Sequence, residues 1–377
     1  MWAQVFFAQE SQQPTSQSHY SVGELTDLTT YNEKQISSHS ELCCLDVDAK
    51  KLTSLQGIEK INADTPIQLL FAGNNNLQTL RGIESLTKLK KLYANHNRLT
   101  TLSKLSRCKK IKELALDHNC IETLVEVADG KSTRLLLPKG LETLHLNDNK
   151  LTAIPSEFCV LTILCSLSIQ HNTISELPKD FTQLHRLMGI HFSHNLLRKL
   201  PDNFAEIGRD DLASFRYYDF SANNIQVLPE KLGDIQRKHE KPDTPLFIQL
   251  ILNSNRLQAI PTSISALHSL ATLDLSNNYL TEFPLALCAC INLQRLLLAN
   301  NQINKIPLEV TRLAKLQRLS LLDNPIETKV PKKVYSFLKK LEAKKALCYG
   351  DALYKTGLAP ELIYLIYSFV GTLDNCM

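Results

Sequence analysis

Glycine is scarce in this chain, 12 residues of 377, and nowhere do its glycines cluster into a phosphate-cradling loop. A nucleophile elbow and a His-Glu-x-x-His helix are missing too, so the common catalytic frameworks have no foothold. No enzyme, cofactor or metal site is expected. No window approaches the ~18–20 consecutive apolar residues that a membrane span requires. Met1-Trp2-Ala3-Gln4-Val5-Phe6-Phe7 has neither a basic start nor a long apolar run, so the reading is a soluble, unprocessed protein without a membrane span. Charge of one sign is also lacking: 42 Lys+Arg against 38 Asp+Glu leaves +4, which argues against a histone-like nucleic-acid binder. Ten cysteines (43, 44, 108, 120, 159, 165, 288, 290, 348 and 376) form no paired framework, as suits free thiols in a reducing, cytoplasmic compartment. Cys288-Ala289-Cys290 is the one suggestive pair. With no second ligand cluster it reads as two small apolar side chains rather than zinc ligands.

What is present is apolar and periodic. With 44 % apolar and 21 % charged residues the chain is not wholly disordered, and its length alone would suggest two or three domains. Repetition replaces that estimate. From 42 to 326 the pattern Leu-x-x-Leu-x-Leu-x-x-Asn-x-Leu returns, as in Leu89-Lys-Lys-Leu92-Tyr-Ala94-Asn-His-Asn97-Arg-Leu99 and Leu270-Ala-Thr-Leu273-Asp-Leu275-Ser-Asn-Asn278-Tyr-Leu280. An asparagine ladder runs through Asn75, Asn97, Asn119, Asn149, Asn172, Asn195, Asn223, Asn255, Asn278, Asn301 and Asn324, with Lys50 in a degenerate first copy. About twelve repeats result. Each supplies one short parallel strand whose alternate residues enter a shared core, and each Asn satisfies backbone groups where the chain leaves the strand.

These residues resemble the leucine-rich-repeat family. The resemblance implies an α/β solenoid: a curved parallel β-sheet on the concave side, helices or 3-10 turns on the convex side, and a helical C-terminal cap. With strands ~4.8 Å apart, eleven steps span on the order of 50 Å along the inner face. Intervals of 22 residues (Asn75 to Asn97 to Asn119) come without proline, whereas intervals of 23 come with Pro155, Pro178, Pro261, Pro284 or Pro307 after the strand. The former are similar to intracellular phosphatase-regulatory repeats and the latter to those of Ras-group proteins and bacterial effectors. Three intervals are long, 30, 28 and 32 residues, and their extra residues, such as Asp129-Gly-Lys-Ser-Thr-Arg134 and Gln236-Arg-Lys-His-Glu-Lys-Pro242, are polar. Solvated excursions away from the strands, or at an edge, are expected there.

The ends differ from the middle. Residues 1–20 contain a Gln/Ser-rich stretch and read as disordered. Residues 21–41 carry a sparse helical pattern (Val22, Leu25, Leu28) and read as an N-terminal cap, 42–328 as the solenoid and 329–377 as the C-terminal cap. Between 329 and 345 seven lysines face one acid, Glu342, a local +6 that leaves the rest of the chain at −2. Val330, Val334, Phe337, Leu338 and Leu341 make the apolar stripe of a helix with its lysines outward, Pro331 suiting its first turn. The last segment, with Leu358, Pro360, Leu362, Ile366 and Phe369, is similar to the first helix of an F-box. That resemblance implies docking to the Skp adaptor of a cullin ubiquitin ligase.

Binding is expected on the positions that flank the strand leucines, which face outward on the inner curve. They offer Phe71, Tyr93, His96, His118, His145, His171, His191, His194, Tyr217, Arg295 and Arg318, with Asp219 and Asp274 among them. His96, His118, His171 and His194 fall in one column just before the ladder Asn, with Asp148 in the same column. Neighbours there lie about 5 Å apart, close enough for imidazoles to interact. The expected function is recognition of a partner protein by a monomer, with no nucleic acid involved. The repeat mix and low glycine content resemble the leucine-rich-repeat effectors of intracellular bacteria, which implies secretion into the host cell cytosol. A ubiquitin-ligase substrate receptor and a phosphatase or GTPase regulatory scaffold are the alternatives.

Overall fold

The computed structural model describes residues 19–21, 44–58, 67–128, 130, 132–208, 215–237, 247–327 and 330–349. Two compact units divide the chain, Met1–Asn149 and Lys150–Met377. The first unit contains β1 (His19–Ser21), β2 (Cys44–Asp46), β3 (Leu69–Phe71), β4 (Lys91–Tyr93), β5 (Glu113–Ala115), the hairpin β6 (Val125–Ala128) and β7 (Ser132–Leu135), and β8 (Thr143–His145). Apart from the hairpin, each strand pairs in parallel with the next, so that Asp46, Phe71, Tyr93, Ala115 and His145 are successive partners. Three residues suffice for a strand because only its middle residue enters the core: Leu45, Leu70, Leu92, Leu114 and Leu144 are all buried. Alternation then turns the flanking residues outward.

The ladder asparagines hold the turns. In every repeat the Oδ1 accepts an N–H from the preceding one, for instance Leu77 N–H to Asn97 at 2.9 Å and Leu99 N–H to Asn119 at 3.0 Å. The Nδ2 of Asn97 donates to the carbonyls of Ala72, Ala94 and Asn95. A buried amide side chain thus consumes backbone groups that a turn would otherwise orphan.

Repeat length has a backbone cause. In the 22-residue copies the chain enters its 3-10 turn through a left-handed residue, Gly82 at φ 98 or Lys104 at φ 75. In the 23-residue copies a proline in extended conformation, such as Pro155 at φ −72 or Pro261 at φ −62, precedes a five-residue 3-10 turn. Proline's ring presets that φ. The 30-residue interval is a finding beyond the sequence: its polar excess forms the β6–β7 antiparallel hairpin, turning at Gly130 with φ 67.

The second unit contains β9 (Ser166–Ser168), β10 (Gly189–His191), β11 (Phe215–Asp219), helix α1 (Asp234–Arg237), β12 (Phe247–Ile251), β13 (Leu270–Asp274), β14 (Arg295–Leu297), β15 (Arg318–Ser320) and helix α2 (Lys332–Tyr349). Its strands are also parallel and consecutive. Its core has an aromatic stretch, with Phe204 edge-on to Tyr218 at 5.8 Å and to Phe220 at 5.5 Å. Arg216 occupies an inward strand position there at 1 % exposure. Its charge counters, in part, the burial that raises the Tyr218 hydroxyl above its ordinary range. In α2, Val334, Leu338 and Leu341 are buried, against the 3-10 turn Leu308–Arg312 and β15, while Lys332, Lys333, Lys339 and Lys340 are exposed.

Strand β1 lies where residues 1–20 read as disordered and 21–41 as a cap, and it pairs with β2 through His19 to Cys44 and Ser21 to Asp46. The rest of those two segments lies outside the described residues, as do the second and third long insertions in part and the proposed adaptor-docking residues Leu358, Pro360, Leu362, Ile366 and Phe369. Among the described residues no helix is long and apolar enough to cross a membrane.

Candidate binding face

Each three-residue strand carries three outward positions, its two ends and the residue two beyond, and in the five-residue β11 the middle residue Tyr217 is outward as well. In the first unit the last strand position gives Asp46, Phe71, Tyr93, Ala115 and His145. Strand spacing brings the rings of Phe71 and Tyr93 into a parallel stack, centroids 5.1 Å apart and planes 12° from parallel. The Tyr93 hydroxyl donates to Glu113 Oε1, and Lys91 Nζ sits 2.8 Å from Glu113 Oε2. Beyond the strand, Asp117 Oδ1 accepts the Asn147 N–H at 2.7 Å while its Oδ2 lies 3.9 Å from His145 Nδ1. Burial raises the Asp117 carboxyl above its ordinary range, against the lowering effects of the Asn147 hydrogen bond and of His145 and His118. Glu113 and Asp117 were not singled out from the sequence. The signal for them was their place in the repeat, two residues before and two after the strand end at Ala115.

Four of the expected site residues are not on strands, which corrects their placement. His96, His118, His171 and His194 occupy the turn after the strand, at φ between 52 and 55. Asp148, Asn74, Asn277, Asn300 and Asp323 stand at the same point with the same left-handed backbone, as do Ala49, Ala222 and Ser254. His, Asn and Asp are the non-glycine residues most tolerated there, so the turn favours these residue types without requiring them. The predicted proximity is found: His96 stacks on His118 and, in the second unit, His171 on His194, each pair 4.2 Å between centroids and 10° from parallel. His118 Nε2 lies 3.6 Å from Asp148 Oδ2. Among the described residues no group of three or more His, Cys, Asp or Glu is arranged to hold a metal ion.

In the second unit His191, Tyr217, Arg295 and Arg318 are on strands, facing outward. His191 lies 4.9 Å from Tyr217, its ring tilted by 30°. Burial pushes the Tyr217 hydroxyl above its ordinary range, and the charges of Asp219 and Asp274 push it further. Asp219 Oδ1 accepts from both the backbone and the hydroxyl of Ser221, at 2.9 and 2.6 Å. Burial also raises the Asp274 carboxyl; its Ser276 bonds and the Arg318 charge act the other way. Arg295 and Arg318 are register partners. The surface is therefore a polar sheet face with an acidic and aromatic part at β10–β13 and a basic part at β14–β15.

Cys44, Cys108, Cys120, Cys159, Cys165, Cys288 and Cys290 are free thiols. Burial pushes Cys108 and Cys288 up to about 11 and Cys159 and Cys290 up to about 12, which makes them apolar core groups rather than nucleophiles.

The family model for Leucine rich repeat matches residues 139–197 and 249–303. No curated protein matches the sequence. Among solved structures, a leucine-rich-repeat protein of Leptospira interrogans is 25 % identical, with 84 % of this chain and 92 % of that one covered at a TM-score of 0.55. An internalin of Listeria monocytogenes is 21 % identical over 83 % of this chain and 90 % of its own, at 0.59. A chain of the Toll–Spatzle complex of Drosophila reaches 0.66 at 17 % identity, covering 83 % of this chain and 42 % of that one.

Proposed function

We infer that this chain, a leucine-rich-repeat protein in its matched repeats and its fold, binds a partner protein across the outward faces of its strands. The observation that carries the reading is the company those positions keep: the Phe71–Tyr93 stack, the His191–Tyr217 pair and the Arg295–Arg318 pair all lie at outward strand positions. Aromatic rings and arginine are the side chains that most often dominate protein interfaces. The fold supports the same reading, because repeat stacks present extended, rigid surfaces rather than closed, water-excluding pockets.

As a finer statement, we propose an effector of an intracellular bacterium that engages a host protein in the cytosol. Free thiols at seven cysteines, Cys44 to Cys290, and the mixed 22- and 23-residue spacing support it. Affinity capture tests both levels. Wild-type protein should retain a partner from host-cell lysate and not from bacterial lysate. Tyr93→Ala with Tyr217→Ala should lower that capture at least tenfold while circular dichroism shows the variant still folded. Capture unchanged in the double variant refutes the face, and a partner found only in bacterial lysate refutes the effector role.

A further inference from the structure

Late in the second unit three successive dipeptides share one place in the repeat: Pro284-Leu285, Pro307-Leu308 and Pro331-Lys332. The first two open the 3-10 turns Leu285–Ala289 and Leu308–Arg312, and the third opens helix α2, which packs on the second of those turns. Helix α2 therefore stands where the 3-10 turn of a further repeat would be. Its apolar side is already used, since Val334, Leu338 and Leu341 are buried. At about 100° per residue Lys332 and Lys339 fall opposite that side, two turns apart, with Lys333 and Lys340 next to them. All four are exposed, and among the described residues none of them has an ion-pair partner. The leucines that open the two preceding turns are exposed as well, Leu285 by 58 % and Leu308 by 45 %. Across the two turns and α2 as far as Glu342, those four lysines and Arg312 stand against Glu309 and Glu342.

We propose that this surface of the second unit docks on an anionic lipid bilayer, the α2 lysines lying over the headgroups while Leu285 and Leu308 enter the interface beside them. It does not rest on the strand face argued above. Charge and apolar exposure select the occupant together. Lysine is a compact, strongly hydrated charge with no plane to stack, and it is depleted at protein interfaces, where arginine is the enriched cation. A layer of anionic headgroups asks for no more than that, because it attracts a row of lysines within a Debye length without fixing their register. The leucines then separate a membrane from a nucleic acid. A phosphate backbone would match the lysines equally but would leave Leu285 and Leu308 in water, whereas the boundary between headgroups and acyl chains takes up leucines that lie next to basic residues. Because α2 has spent its apolar stripe on the last repeat, the association is peripheral and reversible: the lysines drive it and two side chains deepen it.

Sedimentation of the full chain with vesicles tests this. Phosphatidylcholine vesicles holding about 30 % phosphatidylserine should carry the protein down in about 0.1 M salt and release it in about 0.5 M, and pure phosphatidylcholine should not bind it. Lys332→Gln with Lys339→Gln should lower the vesicle partition more than tenfold, at about fivefold for each lysine. Lys88→Gln with Lys90→Gln, the same charge change on exposed residues of the first unit, should leave it unchanged. Leu285→Ser with Leu308→Ser should weaken it several-fold and keep the salt response, with circular dichroism showing each variant folded. Tyr93→Ala with Tyr217→Ala should bind vesicles like wild type, so failure of the strand face and failure of the membrane site are read separately. Equal binding to both kinds of vesicle, binding to neither, or an equal loss in the two lysine double variants overturns the proposal. Unchanged vesicle binding in the folded leucine variant overturns the lipid as occupant, and lysine-dependent binding of a DNA duplex or of polyglutamate in its place would name the partner instead.

Discussion

Replacing Asn97 by alanine removes one side chain and four hydrogen bonds, but the four are not equivalent. The carbonyls of Ala72, Ala94 and Asn95 that receive its Nδ2 each keep another donor: Asn75 Nδ2, Asn119 Nδ2 and the Asn74 N–H respectively. The Leu77 N–H, which Asn97 Oδ1 accepts at 2.9 Å, has no such substitute and is buried. Stranding one buried amide costs ~1–3 kcal/mol, and three weakened carbonyl contacts add to it. A loss of about 3 kcal/mol follows. With a urea slope near ~3 kcal/mol/M this shifts the midpoint by about 1 M. Asn97→Asp sharpens the test, because it keeps the acceptor for Leu77 and aims a second oxygen at three carbonyl oxygens. Its folded carboxyl must titrate above the unfolded value of ~3.9. The native state then binds more protons than the unfolded state, so stability falls as pH rises through that window. At pH 7.5 Asn97→Asp should be less stable than Asn97→Ala. Near pH 4, where the protonated carboxyl can donate to a carbonyl, the order should reverse. Urea unfolding followed by circular dichroism at both pH values measures this. An Asn97→Ala loss under about 0.5 kcal/mol, or an Asn97→Asp that gains stability toward alkaline pH, refutes the ladder argument.

Two further outcomes follow from single contacts. A Cβ on Gly233 would sit 1.8 Å from the Ser263 carbonyl oxygen, whereas one on Gly140 would meet Lys109 O at 3.3 Å. Gly233→Ala should therefore cost about 3 kcal/mol, about 10 °C in Tm, and Gly140→Ala less than about 1 kcal/mol. Equal melting temperatures would contradict the close approach at Gly233. Asp274 is held above its ordinary carboxyl range by burial, so its ionisation costs stability as pH rises above the unfolded value of ~3.9. Asp274→Asn keeps an acceptor for the Ser276 N–H, bonded at 2.9 Å to Oδ1, and should be more stable than wild type at pH 8 with the gain vanishing near pH 3.5. A gain that grows toward acid pH would contradict it.

The elements most legible in the sequence are those where one residue type has one physical job. Asn97 and its ten counterparts announce the turns because their short amide side chain both donates to and accepts from the backbone there. The prolines announce the longer repeats because their φ is preset. The hairpin at Val125–Leu135 was legible only as a polar excess, since its strands pair with each other and not with the repeat. Arg216, buried where the pattern calls for an aliphatic residue, carries no local mark of its burial.

At the binding face the sequence is misleading in an instructive way. Residue types draw the eye to His96, His118, His171 and His194, yet the left-handed turn at each of them favours His, Asn or Asp on backbone grounds alone. At strand positions the extended backbone asks for no charged residue, so Lys91, Glu113 and Asp219 have no such local cause, whereas the rings of Phe71, Tyr93 and Tyr217 also suit a strand.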